Sequence, residues 1–232
     1  MKFTVHVIGA GGTGSYFLKE FCRFASGNKD IESVYIYDGD RVEKKNLARQ
    51  CFTEEDIGRN KACIMAEILM EAFSIKCYAV PEYLTNRKQI VETENTPLLI
   101  GCVDNHAARL ILEEYFREKE DCVLFDSANE YETGEVVFAY RFQNLFAGRE
   151  RSFYFPDMEK ETKSRTEMSC TELNAVAPQH IVTNMLAANH LLCGVANLLE
   201  GIVHPGFTMF NALHFESQFV PYQNGNGKER KR

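Results

Sequence analysis

Tryptophan is absent from the 232 residues, but 17 Phe and 10 Tyr supply the bulk that a core needs. No stretch approaches roughly 18 uninterrupted apolar residues, so no segment is expected to span a membrane. Positive charge is in deficit: the formal net charge of −7 argues against a nucleic-acid-binding surface. No C-x-x-C pair occurs among the eight cysteines at 22, 51, 63, 77, 102, 122, 170 and 193, which excludes a ribbon-type zinc site and a disulfide framework. Cys77, Cys102, Cys122 and Cys193 lie in apolar runs and are expected to be buried, reduced thiols. The first residues run straight into a strand-like pattern with neither the length nor the cleavage site of a signal peptide, so a cytoplasmic protein is expected.

With 45% hydrophobic and 25% charged residues, the chain has the composition of an ordinary globular protein, long enough for one large α/β domain. Residues 3–8 alternate and favour a strand, and a helix-period segment from Ser15 to Ala25 follows a glycine-rich loop. A second strand, residues 33–37, ends on Asp38-Gly39-Asp40. Residues 41–58 are polar and without period, as a functional loop would be. A helix over 59–73, a strand over 76–80, a short helix near 86–92 and an apolar strand over 97–103 come next. A helix through Arg117 and a strand over 122–125 complete a core of residues 1–130.

This alternation predicts a doubly wound, Rossmann-like, mostly parallel sheet. Residues 134–142 add a strand, and the charged, aperiodic residues 143–170 are expected to be a loop or lid. Residues 172–222 hold a C-terminal helix and a β-hairpin, and 223–232 form a flexible tail whose basic cluster is Lys228, Arg230, Lys231 and Arg232. No linker divides the chain, so 1–232 is expected to form a single domain. His180, His190 and His204 lack ligand-like spacing and are expected to be structural.

Gly9, Gly11, Gly12 and Gly14 fall between a predicted strand and a helix, where backbone N–H groups and the helix dipole attract phosphate. Asp38, at the end of the next strand, stands where a carboxylate meets ribose hydroxyls. The polar set Asp40, Asn46, Arg49, Gln50 and Lys61 follows. Two cations so near a phosphate loop suit a triphosphate, with Arg49 and Lys61 on the β- and γ-phosphates. Asp104 ends the fourth strand, where it suits Mg²⁺ beside a triphosphate or a helix N-cap, and Asn105 beside it suits the cap.

Taken together, Gly9-x-Gly-Gly-x-Gly14, Asp38-x-Asp40-x-Val42-x-x-x-Asn46-Leu47-x-Arg49-Gln50, Ile57-Gly58-x-x-Lys61 and Cys102-x-Asp104-Asn105-x-x-x-Arg109 resemble the ThiF/MoeB/ubiquitin-activating superfamily. Ser169-Cys170-x-Glu172 is similar to that family's crossover loop, and the Val42-Glu43-x-Lys45-Asn46 phrasing to ThiF-like proteins of bacterial and mobile-element operons. The resemblance implies a homodimeric adenylyltransferase that uses ATP and Mg²⁺ to activate the C-terminal Gly-Gly carboxylate of a small ubiquitin-fold protein as an acyl-adenylate. It implies that Asp38 holds the ribose, that Asn46, Arg49 and Lys61 contact phosphates, and that Asp104 binds magnesium.

The chain departs from many relatives in its missing C-x-x-C pairs, so no zinc is expected. It also departs in beginning at a strand, where relatives carry a helix with an arginine for the partner's site; Arg23, Arg149, Arg151 and Arg165 are the possible substitutes. Cys170 is either a thioester-forming nucleophile, near Lys163 and Arg165, or an incidental loop cysteine. Two other readings stay open: an NAD(P)-dependent oxidoreductase using the same loop and Asp38, and an ATP-binding sensor or scaffold that transfers nothing.

Overall fold

Five largely apolar segments line up as parallel strands. They are Phe3–Ile8 (β1), Ile31–Tyr37 (β2), Cys77–Val80 (β3), Thr96–Gly101 (β4) and Cys122–Asn129 (β5), in the order β3-β2-β1-β4-β5. The sheet continues antiparallel through Thr133–Phe142 (β6), Gly206–Asn211 (β8) and Glu216–Pro221 (β9), and Leu145–Ala147 (β7) also pairs with β6. A computed structural model describes residues 1–160 and 180–223 of this nine-stranded mixed sheet.

Helices Gly12–Ala25 (α1), Lys61–Phe73 (α2) and Ile181–Leu199 (α5) cover one face of the sheet, and His106–Glu118 (α3) covers the other. Val5, Val7, Leu98 and Val123 meet Phe17, Phe21, Leu69 and Leu191 on the first face. Ile8, Tyr37, Leu99 and Leu124 meet Leu112 and Phe116 on the second. Each such side chain, taken fully out of water, contributes roughly 1.5–3 kcal/mol. Helices on both faces of a largely parallel core match the expected doubly wound class.

The differences from the sequence reading have local causes. Helix α1 starts at Gly12 rather than Ser15, because Gly14 has no side chain to hold it away from the Gly9 carbonyl. The expected helix near 86–92 is one 3₁₀ turn, Arg87–Gln89, closed by a capping box between Asn86 and Gln89. Strand β5 runs on to Asn129, because its register with β6 extends to Gly134. Cys193 is exposed rather than buried, on the outer side of α5 with Val182 and Met185. That helix carries no charged residue and, with mean hydropathy 1.3, is long and apolar enough to cross a membrane. Its interruptions by Thr183, Asn184, Asn189 and His190 hid it from a search for unbroken apolar runs. Ala187, Ala188, Leu191 and Val195 are buried in the core that α1 shares.

Residues 143–160 are not a plain loop. They contain β7, the short helix Arg151–Tyr154 (α4) and the 3₁₀ turn Pro156–Lys160. Charge anchors them: Arg151 is buried, its Nε donates to Asp126, and its Nη1 donates to Glu135 Oε1 at 2.6 Å. Arg117 Nε reaches Glu150 Oε1 at 2.6 Å, and Glu113 accepts the Ser152 N–H at 2.8 Å. Arg151 is thereby committed to the fold, which removes it from the possible cross-subunit arginines. The remainder of the expected crossover loop, with Lys163, Arg165, Ser169, Cys170 and Glu172, lies outside the described residues, as does the basic tail from 224.

Arg151→Met leaves Asp126 without its principal partner and should lower unfolding free energy by ~3–5 kcal/mol in urea titrations. Leu145→Ser, at a side chain 73% exposed, should stay within about 0.5 kcal/mol of wild type. His6 lies beneath Tyr35 and bonds Tyr37 Oη at 3.1 Å, and burial pushes its pKa from 6.5 down to about 3. Its contribution is therefore complete above 6.5 and is lost as pH falls from there towards 3. Stability measured at about pH 7.5 and about pH 5.5 should show this loss, and His6→Phe should reduce it.

Candidate functional site

β1 lies between β2 and β4, and the chain leaves these neighbouring strands towards opposite faces of the sheet, through α1 after β1 and α3 after β4. Open α/β sheets place ligands at such a switch point, beyond the carboxyl ends of the strands. A cleft opens there, lined by Gly9, Gly11 and Gly12 of the glycine loop and by Asp38, Asp40, Asn46, Arg49, Gln50, Lys61, Asp104 and Asn105. Gly14 is the expected ligand contact that falls outside it: a Cβ there would sit 1.9 Å from the Gly9 oxygen, so this glycine serves packing. Gly9 has φ +94° and faces the Cys102 carbonyl. Gly11 is the N-cap of α1 and contributes no capping side chain. The first intrahelical bond runs from Ser15 N–H to the Gly11 oxygen at 3.0 Å, so the amides of Gly12, Thr13 and Gly14 come before it.

Asp38 joins the two loops that floor the cleft. Its Oδ2 accepts the Ala10 N–H at 2.7 Å and its Oδ1 accepts the Asp40 N–H at 2.8 Å. Burial raises its pKa, and the nearby Lys61 ammonium opposes that rise. Asn60, which the sequence reading passed over, holds the same turn: its Nδ2 donates to the Asp38 and Asp40 carbonyls at 2.8 and 3.1 Å, and its Oδ1 caps α2 at Cys63 N–H. An Asn directly before an apolar-periodic helix was the available signal.

Lys61 does not point freely at the cleft. It is buried and its Nζ lies 2.9 Å from Asp40 Oδ2, while Tyr83 Oη donates to Asp40 Oδ1. Asn46 is buried and spends its Oδ1 on the Glu43 N–H at 2.8 Å. Gln50 is buried against Gly11, and its Oε1 has no partner among the described residues. Arg49 is half-buried, and no side-chain hydrogen bond or ion pair engages it among the described residues.

Asp104 is exposed at the mouth of the cleft, and Asn105 accepts the Ala108 N–H at 2.9 Å as the α3 cap. No cluster of three metal-ligating side chains exists among the described residues. One carboxylate facing a phosphate loop is nonetheless the donor set that suits Mg²⁺, which keeps several waters and shares phosphate oxygens. Arg109 turns away from the cleft and donates to the Val103 and Ser127 carbonyls at 2.5 and 3.0 Å. From the far end of the chain, Asn184 of α5 accepts from Asn129 Nδ2 at 2.7 Å and packs against Gly12.

The profile of the ThiF family matches residues 1–230. The chain belongs to the ThiF family. It is 27% identical over 134 residues to ubiquitin-like modifier-activating enzyme 5 of Arabidopsis thaliana, covering 50% of this chain and 30% of that one. It is 35% identical over 63 residues to ubiquitin-activating enzyme E1 1 of Candida albicans, covering 27% of this chain and 6% of that one. A crystal structure of E. coli MccB with MccA superposes with TM-score 0.70 at 14% identity, over 96% of this chain and 64% of that one. PaaA superposes with TM-score 0.66 at 15% identity, over 94% and 63%. At these identities the structural likeness bears on the fold. The chain thus spans under a third of these curated relatives and less than two thirds of these structural neighbours.

The two kinds of glycine predict different phenotypes. Gly14→Ala should lower the urea midpoint, by an equivalent of ~1–3 kcal/mol, through overpacking. Gly11→Ala meets only Gln50 Nε2 at 3.7 Å and should unfold at the wild-type midpoint. Equal midpoints for the two variants would contradict the packing role of Gly14.

Proposed function

We propose that this chain is an ATP-dependent adenylyltransferase that activates the C-terminal carboxylate of a small protein or peptide as an acyl-adenylate. The observation that carries the proposal is convergence on one cleft. An uncapped helix N-terminus behind a glycine loop, the unengaged Arg49, the buried Lys61 and the exposed Asp104 all border the same space. A hydride-transfer site gives no role to Arg49 or Lys61 beside the phosphate loop, whereas a triphosphate uses both. Membership of the ThiF family supports the reading, as do the names of the relatives, which activate ubiquitin or ubiquitin-like modifiers, and the neighbour MccB, whose structures include one with ATP and one with MccA.

In this reading, the first-turn amides of α1 and Gln50 receive phosphate oxygens, and Asp38 accepts ribose hydroxyls on lone pairs left over from its two backbone bonds. A carboxylate oxygen of the substrate attacks the α-phosphorus, the bond to the bridging oxygen breaks, and pyrophosphate leaves with the charge. Arg49 and Lys61 neutralise that charge, and alignment in the cleft supplies the remainder of the rate, so this step needs no protein nucleophile. Mg²⁺ held by Asp104 would offset the repulsion between triphosphate and carboxylate. A ubiquitin-fold substrate ending in Gly-Gly, a later thioester on Cys170 and a homodimer complete the proposal. The uncharged α5, with Val182 and Met185 exposed, offers an apolar face for a second copy.

ATP–pyrophosphate exchange tests the proposal. Exchange should appear only with a cognate small protein, and Arg49→Ala or Asp104→Ala should lower it at least about a hundredfold without unfolding the chain. Near-normal exchange in both variants would refute the site assignment. Mg·ATP binding without exchange for any candidate partner would instead favour a sensor. Cys170→Ala should leave exchange intact and remove any thioester.

A further inference from the structure

Among the described residues, acidic side chains outnumber basic ones around the cleft, a poor setting for a triphosphate unless each cation is held and released in order. Lys61 is buried and its partner Asp40 is partly so, with side-chain exposures of 5% and 13%. A lysine held this way is neutralised before any nucleotide arrives. If its ammonium turned to phosphate, Asp40 would keep its charge in a cleft that already contains Asp38 and Asp104.

Tyr83, which follows β3 and lines the same cleft, answers this difficulty. Its hydroxyl donates to Asp40 Oδ1, the oxygen that Lys61 does not use. Its ring lies flat on Gly39, where an added Cβ would meet three ring carbons within 2.9 Å. Its carbonyl accepts from Gln89 Nε2 at 3.1 Å, and Leu84 beside it is buried in the second core. The tyrosine is therefore fixed from both sides, independently of Lys61.

We propose that Tyr83 is a positioning residue that holds Asp40 in place while Lys61 passes from this carboxylate to the triphosphate. This rests on the nucleotide-binding part of the proposed function. With Lys61 on Asp40, the tyrosine draws negative charge from the carboxylate and weakens its grip on the ammonium. With Lys61 on phosphate, the hydroxyl remains as a donor to the partly buried carboxylate. Tyr83 acts through Lys61, so it matters for a nucleotide with β- and γ-phosphates and not for one without them.

Calorimetric titration with Mg·ATP and with AMP tests this on wild type, Tyr83→Phe, Lys61→Ala and the double variant. Tyr83→Phe keeps the ring on Gly39 and removes only the hydroxyl. It should weaken Mg·ATP about tenfold and leave AMP within about twofold, and the double variant should bind Mg·ATP no worse than Lys61→Ala within about twofold. Wild-type affinity in Tyr83→Phe would overturn the proposal. So would equal losses for both nucleotides, which mark a structural wall, or additive losses in the double variant, which mark a direct contact. A wild-type chain that binds neither nucleotide would overturn the nucleotide reading, and this proposal with it.

Discussion

The carboxylate of Asp38 is the tie on which the cleft depends. With one oxygen on the Ala10 amide and the other on the Asp40 amide, it clamps the loop after β1 to the loop after β2. Both loops carry groups that line the cleft, so their spacing sets its width. The tie forms because β1 and β2 are parallel neighbours in register up to Ile8 and Tyr37, which brings the two strand ends to one level. Asn60 then fastens the far side of the second loop to α2. The arrangement puts a buried carboxylate among backbone donors, which accounts for its tolerance of burial.

Much of this was legible in the sequence. Apolar runs and their spacing located every parallel strand to within a few residues, because buried strands need continuous apolar side chains and leave little freedom in register. The glycine loop, Asp38, Arg49, Lys61 and Asp104, read from the sequence as one set, border one cleft because the strands that precede them are neighbours in the sheet. What escaped was partnership. The sequence lists Lys61 and Asp40 as separate charges, while in the fold they neutralise each other. Tyr83 and Asn184 belong to no motif, and only the fold brings them to Asp40 and Gly12.

Residues 143–160 escaped for a different reason. Mixed charge without period is the signature of a solvated loop, and most such segments are loops. Here the charges face inward: Arg151 is satisfied by Asp126 and Glu135, and Glu150 by Arg117 and Arg149. Complementary charge supplied by β5, β6 and α3 turned a polar stretch into a packed one. No local rule reports partners that lie 16 to 33 residues away.

The contact between Asn184 and the glycine loop has a consequence for how the protein is made. Among the described residues, the strands, loops and helices that line the cleft precede residue 130, and a growing chain can assemble them while the rest is still being synthesised. The amide that packs against Gly12 and bonds Asn129 emerges more than 50 positions later. A chain stopped before α5 would carry the cleft's lining residues but leave one side of α1 bare. Completion of the glycine loop is therefore tied to arrival of α5, so the site matures only after more than 50 further residues have followed Asn129.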